Sequence, residues 1–575
     1  MSASQPTPPA REVSPPDVDW WRNAVVYCLN VKTFRDADND GLGDLQGLLR
    51  CLDYLGDLGV TCIWLQPLFP SPGTDDGYDI ADYYTVDSRL GRLDEFDDVL
   101  RRAEELGIRV LLDLAVNHTS TAHPWFRAAC CDRPSRYRSW YVFAREPPHW
   151  PVHLEFPGES PSNWAWDDTA GRYYLHRYYP SQADLNFANP DVRAEIGRIL
   201  AFWLDRGVAG FRLDTLPWLV ETARALDPRR DPHEDLAALC EEVRRQRPDA
   251  VLLGEANGHV DEQVAYFGAN GRQEVTTLLN FDLNRSLWLA LARGDADPLR
   301  ACLGRLRWPS QLVHWANFLR NHDELNLDRL AAAERTEVVR RFSPEPDTWI
   351  YGRGIRRRAA PMLDDGAHLR NANSLLLSLP GTPVLLYGEE IGLGDNLRLP
   401  MRMSVRTPMQ WSNEPNQGFS EAASAELVRP LATSGPRTNV ASQQRDPGSL
   451  LNWFRRTIRV RRSCPELGAG AWEVLDAGER QVLAHACHWR GGSVVALHNL
   501  APTPTKVRLA LHGLTFDELL SDTTYESPSP DCPLPLGRHG YRWFRVFNEP
   551  GADDRPGPAR SSPTLSAAPH SMLFG

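Results

Sequence analysis

Gly210-Phe-Arg-Leu-Asp214, Leu253-Gly-Glu255-Ala-Asn257 and Phe318-Leu-Arg-Asn-His-Asp323 are three short stretches that each ride on an apolar, strand-like run and carry an acid at or near its end. A carboxylate at the carboxyl end of a strand, repeated on successive strands, is where a (β/α)8 barrel keeps its chemistry. One such acid is most simply a helix cap or a turn residue. Three, two of them with an Arg or His close by, are more than capping explains. Two carboxyls acting as acid and nucleophile, with a third stabilising charge, suit the cleavage or transfer of a glycosidic bond.

Outward from these stretches, short apolar runs alternate with longer amphipathic ones, the pattern of βα units. Eight strands are expected at residues 25–29, 62–66, 110–114, 210–213, 251–254, 277–281, 315–319 and 383–387, with helices at 45–58, 93–106, 192–204, 234–247 and 366–379. The fold class that follows is α/β: a (β/α)8 TIM barrel over residues 19–118 and 187–466. The spacing breaks between the third and fourth strands, where residues 119–186 are irregular and dense in Trp, Tyr, Pro and His. This reads as an inserted subdomain over the top of the barrel, where long functional loops belong. Short alternating runs at 482–487, 493–498, 506–511 and 543–547 indicate a C-terminal antiparallel β domain over 467–548. Residues 1–18 read as a flexible leader and 549–575 as a disordered tail, both rich in Pro, Ser and Ala.

The formal net charge of -12 argues against nucleic acid as a partner and suits a neutral substrate. No apolar run is long enough to cross a membrane, and the amino terminus lacks a charged segment followed by an apolar one, so neither membrane nor signal peptide is expected. The ten cysteines include no Cys-x-x-Cys pair, which supports neither a zinc site nor a disulfide framework and points to the cytoplasm. The 19 tryptophans read first as core, although sugar sites also use flat aromatic faces. The oligomeric state stays open, a homo-oligomer being compatible with the chain.

Among the acids, Asp214 is the best nucleophile, because Arg212, two residues earlier on the same strand, points to the same side of the pleat and keeps it ionised. Glu255 follows the apolar run 250–253, where a less polar setting raises a carboxyl's pKa, as an acid/base requires. Asp323, beside His322, is placed to hold sugar hydroxyls and favour an oxocarbenium-like transition state.

With Asp113-Leu-Ala-Val-Asn-His118 added, these motifs resemble the four signature regions of glycoside hydrolase family 13, the α-amylase family, over residues 20–467. The resemblance implies Asp214 as nucleophile, Glu255 as acid/base and Asp323 as stabiliser, with His118, His322, Arg212, Asp75 and Tyr78 binding the non-reducing glucose. Gln182-Ala-Asp-Leu-Asn186 is similar to an extra region of its small-substrate members, which places Gln182 at the sugar. Asp75-Asp-Gly-Tyr-Asp79 is similar to the loop that closes one end of their pocket, so short α-glucosides are expected. Arg406, in Val405-Arg-Thr-Pro-Met-Gln-Trp411, corresponds to an arginine that reaches the same sugar. Within the family, Asn163-Trp-Ala-Trp166, Arg320-Asn-His-Asp-Glu-Leu325 and Tyr387-Gly-Glu-Glu-Ile-Gly392 are most similar to the trehalose synthase branch, whose members cleave maltose, keep the glucose enclosed and rejoin it as trehalose. The chain departs from that branch at residues 399–404, at Gly258-His259 and over 273–303.

Asp36-Ala-Asp-Asn-Asp40-Gly-Leu-Gly-Asp44 offers four carboxylates around a glycine, which suits either an oxygen cage for Ca²⁺ or an acidic turn. It is not an EF-hand, since the twelfth position is Gly47. The family resemblance tips this to calcium, with Asp36, Asp38, Asp40, Asp44 and the Leu42 carbonyl as ligands. It also implies a second structural site from Asn117, Asp184, Glu221 and the carbonyls of Trp218 and Leu219. The competing readings are an α-glucosidase or small-oligosaccharide amylase with the same site, and a non-catalytic sugar-binding or scaffolding homologue. The last conflicts with the presence of all three carboxylates.

Overall fold

The computed structural model describes residues 19–131, 134–150, 154–269, 271–310, 312–363, 365–433, 435, 437–509, 514–526 and 532–548. The expected leader at 1–18 and tail at 549–575 lie outside them.

Eight parallel strands close into a barrel: β1 (Val26–Leu29), β2 (Cys62–Leu65), β3 (Arg109–Leu114), β4 (Gly210–Leu213), β5 (Val251–Gly254), β6 (Thr277–Leu279), β7 (His314–Phe318) and β8 (Thr382–Leu386). All are buried along almost their whole length, as parallel strands covered by helices must be. Their expected positions hold to within two residues. The largest difference is at β6, which stops at Leu279 because Asn280 caps the helix Phe281–Arg293 by accepting from Leu283 N. That helix was not anticipated, nor was Leu450–Arg462. Helix Leu45–Leu58 has the expected bounds: Asp44 caps its start and Gly59, at φ 96°, ends it in a left-handed turn.

Between β3 and β4, strand His118–Ser120 pairs antiparallel with Gln182–Asp184 to form the neck of the insertion. Above it sits a three-stranded sheet of Phe143–Ala144, Arg172–Leu175 and Trp164–Asp167. Most of the insertion's aromatics pack on one another, for example Phe126 against Tyr141 and Tyr174. They are the subdomain's own core rather than a sugar platform. At the chain's other end, Ala471–Leu475, Val482–Trp489, Gly492–Asn499, Tyr541–Asn548 and Leu514–Ser521 form a five-stranded antiparallel sheet in that order. The first and last of these were not anticipated. Of the residues expected as a strand at 506–511, the described ones pair within Thr505–Val507, with Leu534–Leu536, and 510–511 lie outside the described residues.

Candidate active site

Register brings the expected acids together. β4 lies between β3 and β5 with Arg212 opposite both Asp113 and Leu253, so Asp214 and Glu255 leave adjacent strands at the same level. Gly210 permits this close approach: at φ 150° its backbone passes so near β5 that a Cβ would lie 2.0 Å from the Val251 carbonyl oxygen. Thr215, directly after Asp214, is itself left-handed at φ 45° and starts the helix Leu216–Leu226.

Arg212 organises the centre. Its Nη1 lies 2.7 Å from Asp113 Oδ1 and 2.6 Å from Asp214 Oδ1, while Nη2 donates to Glu255. The guanidinium is fully buried and lies over the rings of Trp64 and Tyr78. Asp113, only quoted within a motif by sequence, is thus a second anchor. Its Oδ2 accepts from Trp64 Nε1 at 2.9 Å and Tyr78 Oη at 2.8 Å. Burial pushes the Asp113 carboxyl up to about 6 against the pull of Arg212. Burial likewise raises Glu255 well above the usual range, with Asp214 and Asp323 adding to the effect and Arg212 opposing it. That is the condition of a proton donor.

Burial opposes ionisation of Asp323, but His322, Arg402 and Arg406 outweigh it and hold its carboxyl well below the usual range. Because burial takes His322 down to about 3 and leaves the ring neutral, the arginines supply this charge. Arg402 donates from Nη1 to Asp323 Oδ1 and from Nη2 to Asp75 Oδ1, both at 2.6 Å, and its guanidinium lies 4.5 Å from the Phe156 ring centre. Sequence reasoning placed Arg402 only in a divergent stretch. The available signal was a second arginine four residues before Arg406.

A cavity of about 890 Å³ is lined by Asp75, Tyr78, His118, Asp214, Glu255 and Asp323 among others. Four expected sugar-binding residues do not line it. Arg212 and His322 lie behind it, the latter bonded through Nε2 to Tyr78 Oη at 2.6 Å. Gln182 spends its amide on Asp75 Oδ2 at 3.1 Å. Arg406, expected to reach the sugar, donates instead to Asp323 Oδ1 at 2.8 Å, the His322 carbonyl at 2.8 Å and Asp76 Oδ2 at 3.0 Å. Each is a buried polar group bonded to other residues of the site, so it braces the lining. Of the tryptophans, Trp218 alone lines the cavity among the described residues.

In the acidic loop, Asp36, Asp38 and Asp40 bring carboxylate oxygens within 4.8 Å of one another. Burial and the neighbouring Asp40 raise the Asp38 carboxyl, the repulsion that a divalent cation relieves. The hard oxygen donors fit Ca²⁺. Asp44 falls outside this cluster: its oxygens accept from Gly47 N at 2.6 Å and Ala37 N at 2.8 Å, which makes it a cap and a loop brace. Leu42 N donates to Asp40 Oδ1 at 2.7 Å. At the expected second metal site a protein cation stands beside the acids. The buried Arg177 guanidinium reaches Asp184 at 3.7 Å and Glu221 at 3.3 Å and lies 4.7 Å from the centre of Trp218, while Asn117 donates to Asp184 at 3.3 Å. Burial nonetheless outweighs Arg177 and pushes the Asp184 carboxyl up to about 7, and Leu219 is packed in the core.

The model of the α-amylase catalytic domain matches residues 29–340 and 355–470, and that of a sucrose hydrolase-like C-terminal domain matches 491–545. A trehalose synthase of Pimelobacter sp. (strain R48) is 37% identical over 561 residues, covering 94% of this chain and 97% of that protein. A probable alpha-glucosidase of Rhizobium meliloti is 33% identical, covering 80% of this chain and 86% of its own length. In fold, the chain is similar to the crystal structure of Bacillus licheniformis trehalose-6-phosphate hydrolase, with a TM-score of 0.74 at 23% identity, covering 92% of this chain and 100% of that one.

Proposed function

Because the chain belongs to the α-amylase family of glycoside hydrolases, we propose that it is a retaining α-glucosyl enzyme that interconverts maltose and trehalose with some hydrolysis. The observation that carries this is the convergence of Asp214, Glu255 and Asp323 on one cavity, two of them tied to the same buried Arg212. The Asp214 carboxylate attacks the anomeric carbon while Glu255 protonates the departing oxygen, which leaves a glucosyl ester on Asp214. Asp323, ionised by its arginines, stabilises the positive charge that develops on the ring. In the second half Glu255 accepts a proton from the incoming hydroxyl, and the ester is broken with retention. If the hydroxyl is the anomeric one of the released glucose, the product is trehalose; if it belongs to water, the product is glucose.

The buried end at Asp75, Tyr78 and Arg402 favours a single terminal glucose there, hence short α-glucosides. The insertion at 119–186 serves as the roof of the barrel formed by 19–118 and 187–466, and 467–548 as the C-terminal domain. Asp36, Asp38 and Asp40, with the Leu42 carbonyl, are the residues that would hold a structural Ca²⁺ remote from the chemistry. Cytoplasmic residence is supported by ten free cysteines, and no helix among the described residues is long and apolar enough to cross a membrane.

Incubation with maltose tests the reading. Trehalose together with free glucose is expected, and labelled glucose added to the reaction should enter trehalose only slightly, because transfer is enclosed. Glucose as the only product at every time and temperature would sink the isomerase and leave an α-glucosidase.

A further inference from the structure

Glu255 leaves the barrel at a point where the sheet supports it on one side only. On the β4 side its main chain is still held, Glu255 N donating to the Leu213 carbonyl at 3.1 Å and the Glu255 carbonyl accepting from Leu216 N at 3.0 Å. On the β6 side the register ends at Gly254, opposite Leu278. Just beyond that end, the carbonyls of Ala256 and Leu279 meet the side chain of Gln263. Its Nε2 donates to the first at 2.8 Å and to the second at 2.9 Å. One carboxamide thus stands where the next rung of the ladder would be, and it ties the residue that follows the acid to the end of β6.

Gln263 is fixed for this task. It sits on the short helix Val260–Val264, is 1% exposed, and its own N–H donates to the His259 carbonyl at 3.0 Å. Both of its side-chain partners are carbonyls, so the amide must turn its NH2 to them. Its Oε1 is left buried with no hydrogen-bond partner among the described residues. An unmet buried acceptor is destabilising, and an apolar side chain of similar length would avoid it. The two N–H groups are what an amide adds at this position. Farther along the loop, Arg285 donates to Asn257 Oδ1 at 2.7 Å and to the Gly258 carbonyl at 2.6 Å. Gln263 is therefore the inner of two anchors, the one next to the acid. Glu255 and the residues after it line the cavity, so a shift of this main chain moves the acid relative to the sugar. Proton transfer needs the donor within about 2.6–3.2 Å of the leaving oxygen, and a displacement of about 1 Å can lower a rate roughly 100-fold.

Resting on the catalytic reading above, we infer that Gln263 is a positioning residue for the acid/base: its amide fixes the main chain behind Glu255 and so acts on proton transfer rather than on the nucleophile. With maltose, the bond from the anomeric carbon to oxygen breaks as the bond to Asp214 forms, and the Glu255 proton goes to the departing oxygen. With α-glucosyl fluoride the carbon–fluorine bond breaks in the same way, and fluoride leaves as an anion that needs no proton. Both substrates use Asp214, Arg212 and Asp323. They differ in their need for a placed acid.

The test measures kcat/KM for maltose consumption and for fluoride release in the full-length wild type, Gln263→Met, Gln263→Asn and Glu255→Gln. Met keeps the length of Gln and removes both donors, whereas Asn keeps the amide but is one carbon too short to reach both carbonyls. Gln263→Met should lose about 20–100-fold on maltose, less than the roughly 10²–10⁴-fold that a whole general acid supplies. On the fluoride it should stay within about threefold of wild type, which also shows that nucleophile and fold are intact. Gln263→Asn should show the same split, and Glu255→Gln a larger one. Equal losses on the two substrates in both Gln263 variants, or no loss on either, overturn the inference. Equal losses in Glu255→Gln overturn the acid assignment and the inference with it. The split accompanied by glucose as the sole product from maltose upholds Gln263 and overturns the isomerase reading instead.

Discussion

Replacing Arg402 by Gln probes the part of the site that sequence reasoning did not see. The side chain bridges two buried carboxylates, Asp75 and Asp323, at 2.6 Å each. Hydrogen bonds to charged groups contribute about 1.5–3 kcal/mol each, and breaking a buried pair costs about 3–5 kcal/mol. Asp323 keeps Arg406 at 2.8 Å, but Asp75 keeps only the neutral amide of Gln182 at 3.1 Å. The net loss should therefore be about 3 kcal/mol at neutral pH, a fall in Tm of roughly 3–6 °C for a barrel of this size. Burial holds Asp75 up at about 6, with Arg402 the leading opposing charge. A carboxyl raised in this way contributes stability below its unfolded value and loses it as pH rises through about 6; removing Arg402 raises it further. Asp323 is depressed, so its contribution is present above the unfolded value and lost at low pH, and removing Arg402 diminishes it. The Asp323 part of the gap between wild type and variant is therefore already in place near pH 4, while the Asp75 part grows as pH rises through about 6, so the gap is widest near pH 8. Loss of a fixed Asp323 should also remove about 2 kcal/mol of transition-state stabilisation, roughly 30-fold in kcat/KM on maltose. Arg402→Lys, a point charge that cannot span both acids, should recover only part of either effect. Thermal melts at pH 5 and pH 8 and steady-state kinetics decide it. An equal Tm offset at both pH values, with kcat/KM unchanged, refutes the bridging role.

Asp214→Asn should fold normally and lose several powers of ten in turnover, because the amide keeps the shape but cannot form the ester; a large retained fraction of activity on any α-glucoside would displace it as nucleophile. The alkaline limb of the kcat/KM profile should lie well above an ordinary glutamate, since burial and the surrounding carboxylates raise Glu255 and its protonated form is the active one. A limb near 4.3, or one that survives in Glu255→Gln, contradicts that assignment. Asp40→Ala should lower the Tm in calcium-containing buffer and make chelator treatment less consequential, by mass action on a ligand of the folded state. If wild type and variant melt alike with and without chelator, residues 36–44 are a polar turn.

The barrel was legible in the chain because strand and helix periodicities are local. Apolar runs one residue deep on both faces mark buried parallel strands, and Asp44 and Gly59 bound a helix by capping alone. The three acids were legible for the same reason, since the end of each run fixes which strand terminus bears them. Elements with weaker local patterns escaped, such as the half-buried strand Ala471–Leu475 and the helix begun by Asn280. What the tertiary structure alone decided is which charges neutralise which. Arg402 meets Asp75 across 327 positions and Arg406 meets Asp76 across 330, contacts that exist only once the barrel closes β1 against β8. Arg177 likewise meets both Asp184 and Glu221 because the neck of the insertion carries Asp184 to the helix that bears Glu221. Periodicity determines where a side chain stands on its own element, whereas its partner is set by packing between elements, and in a buried site the partner determines the charge.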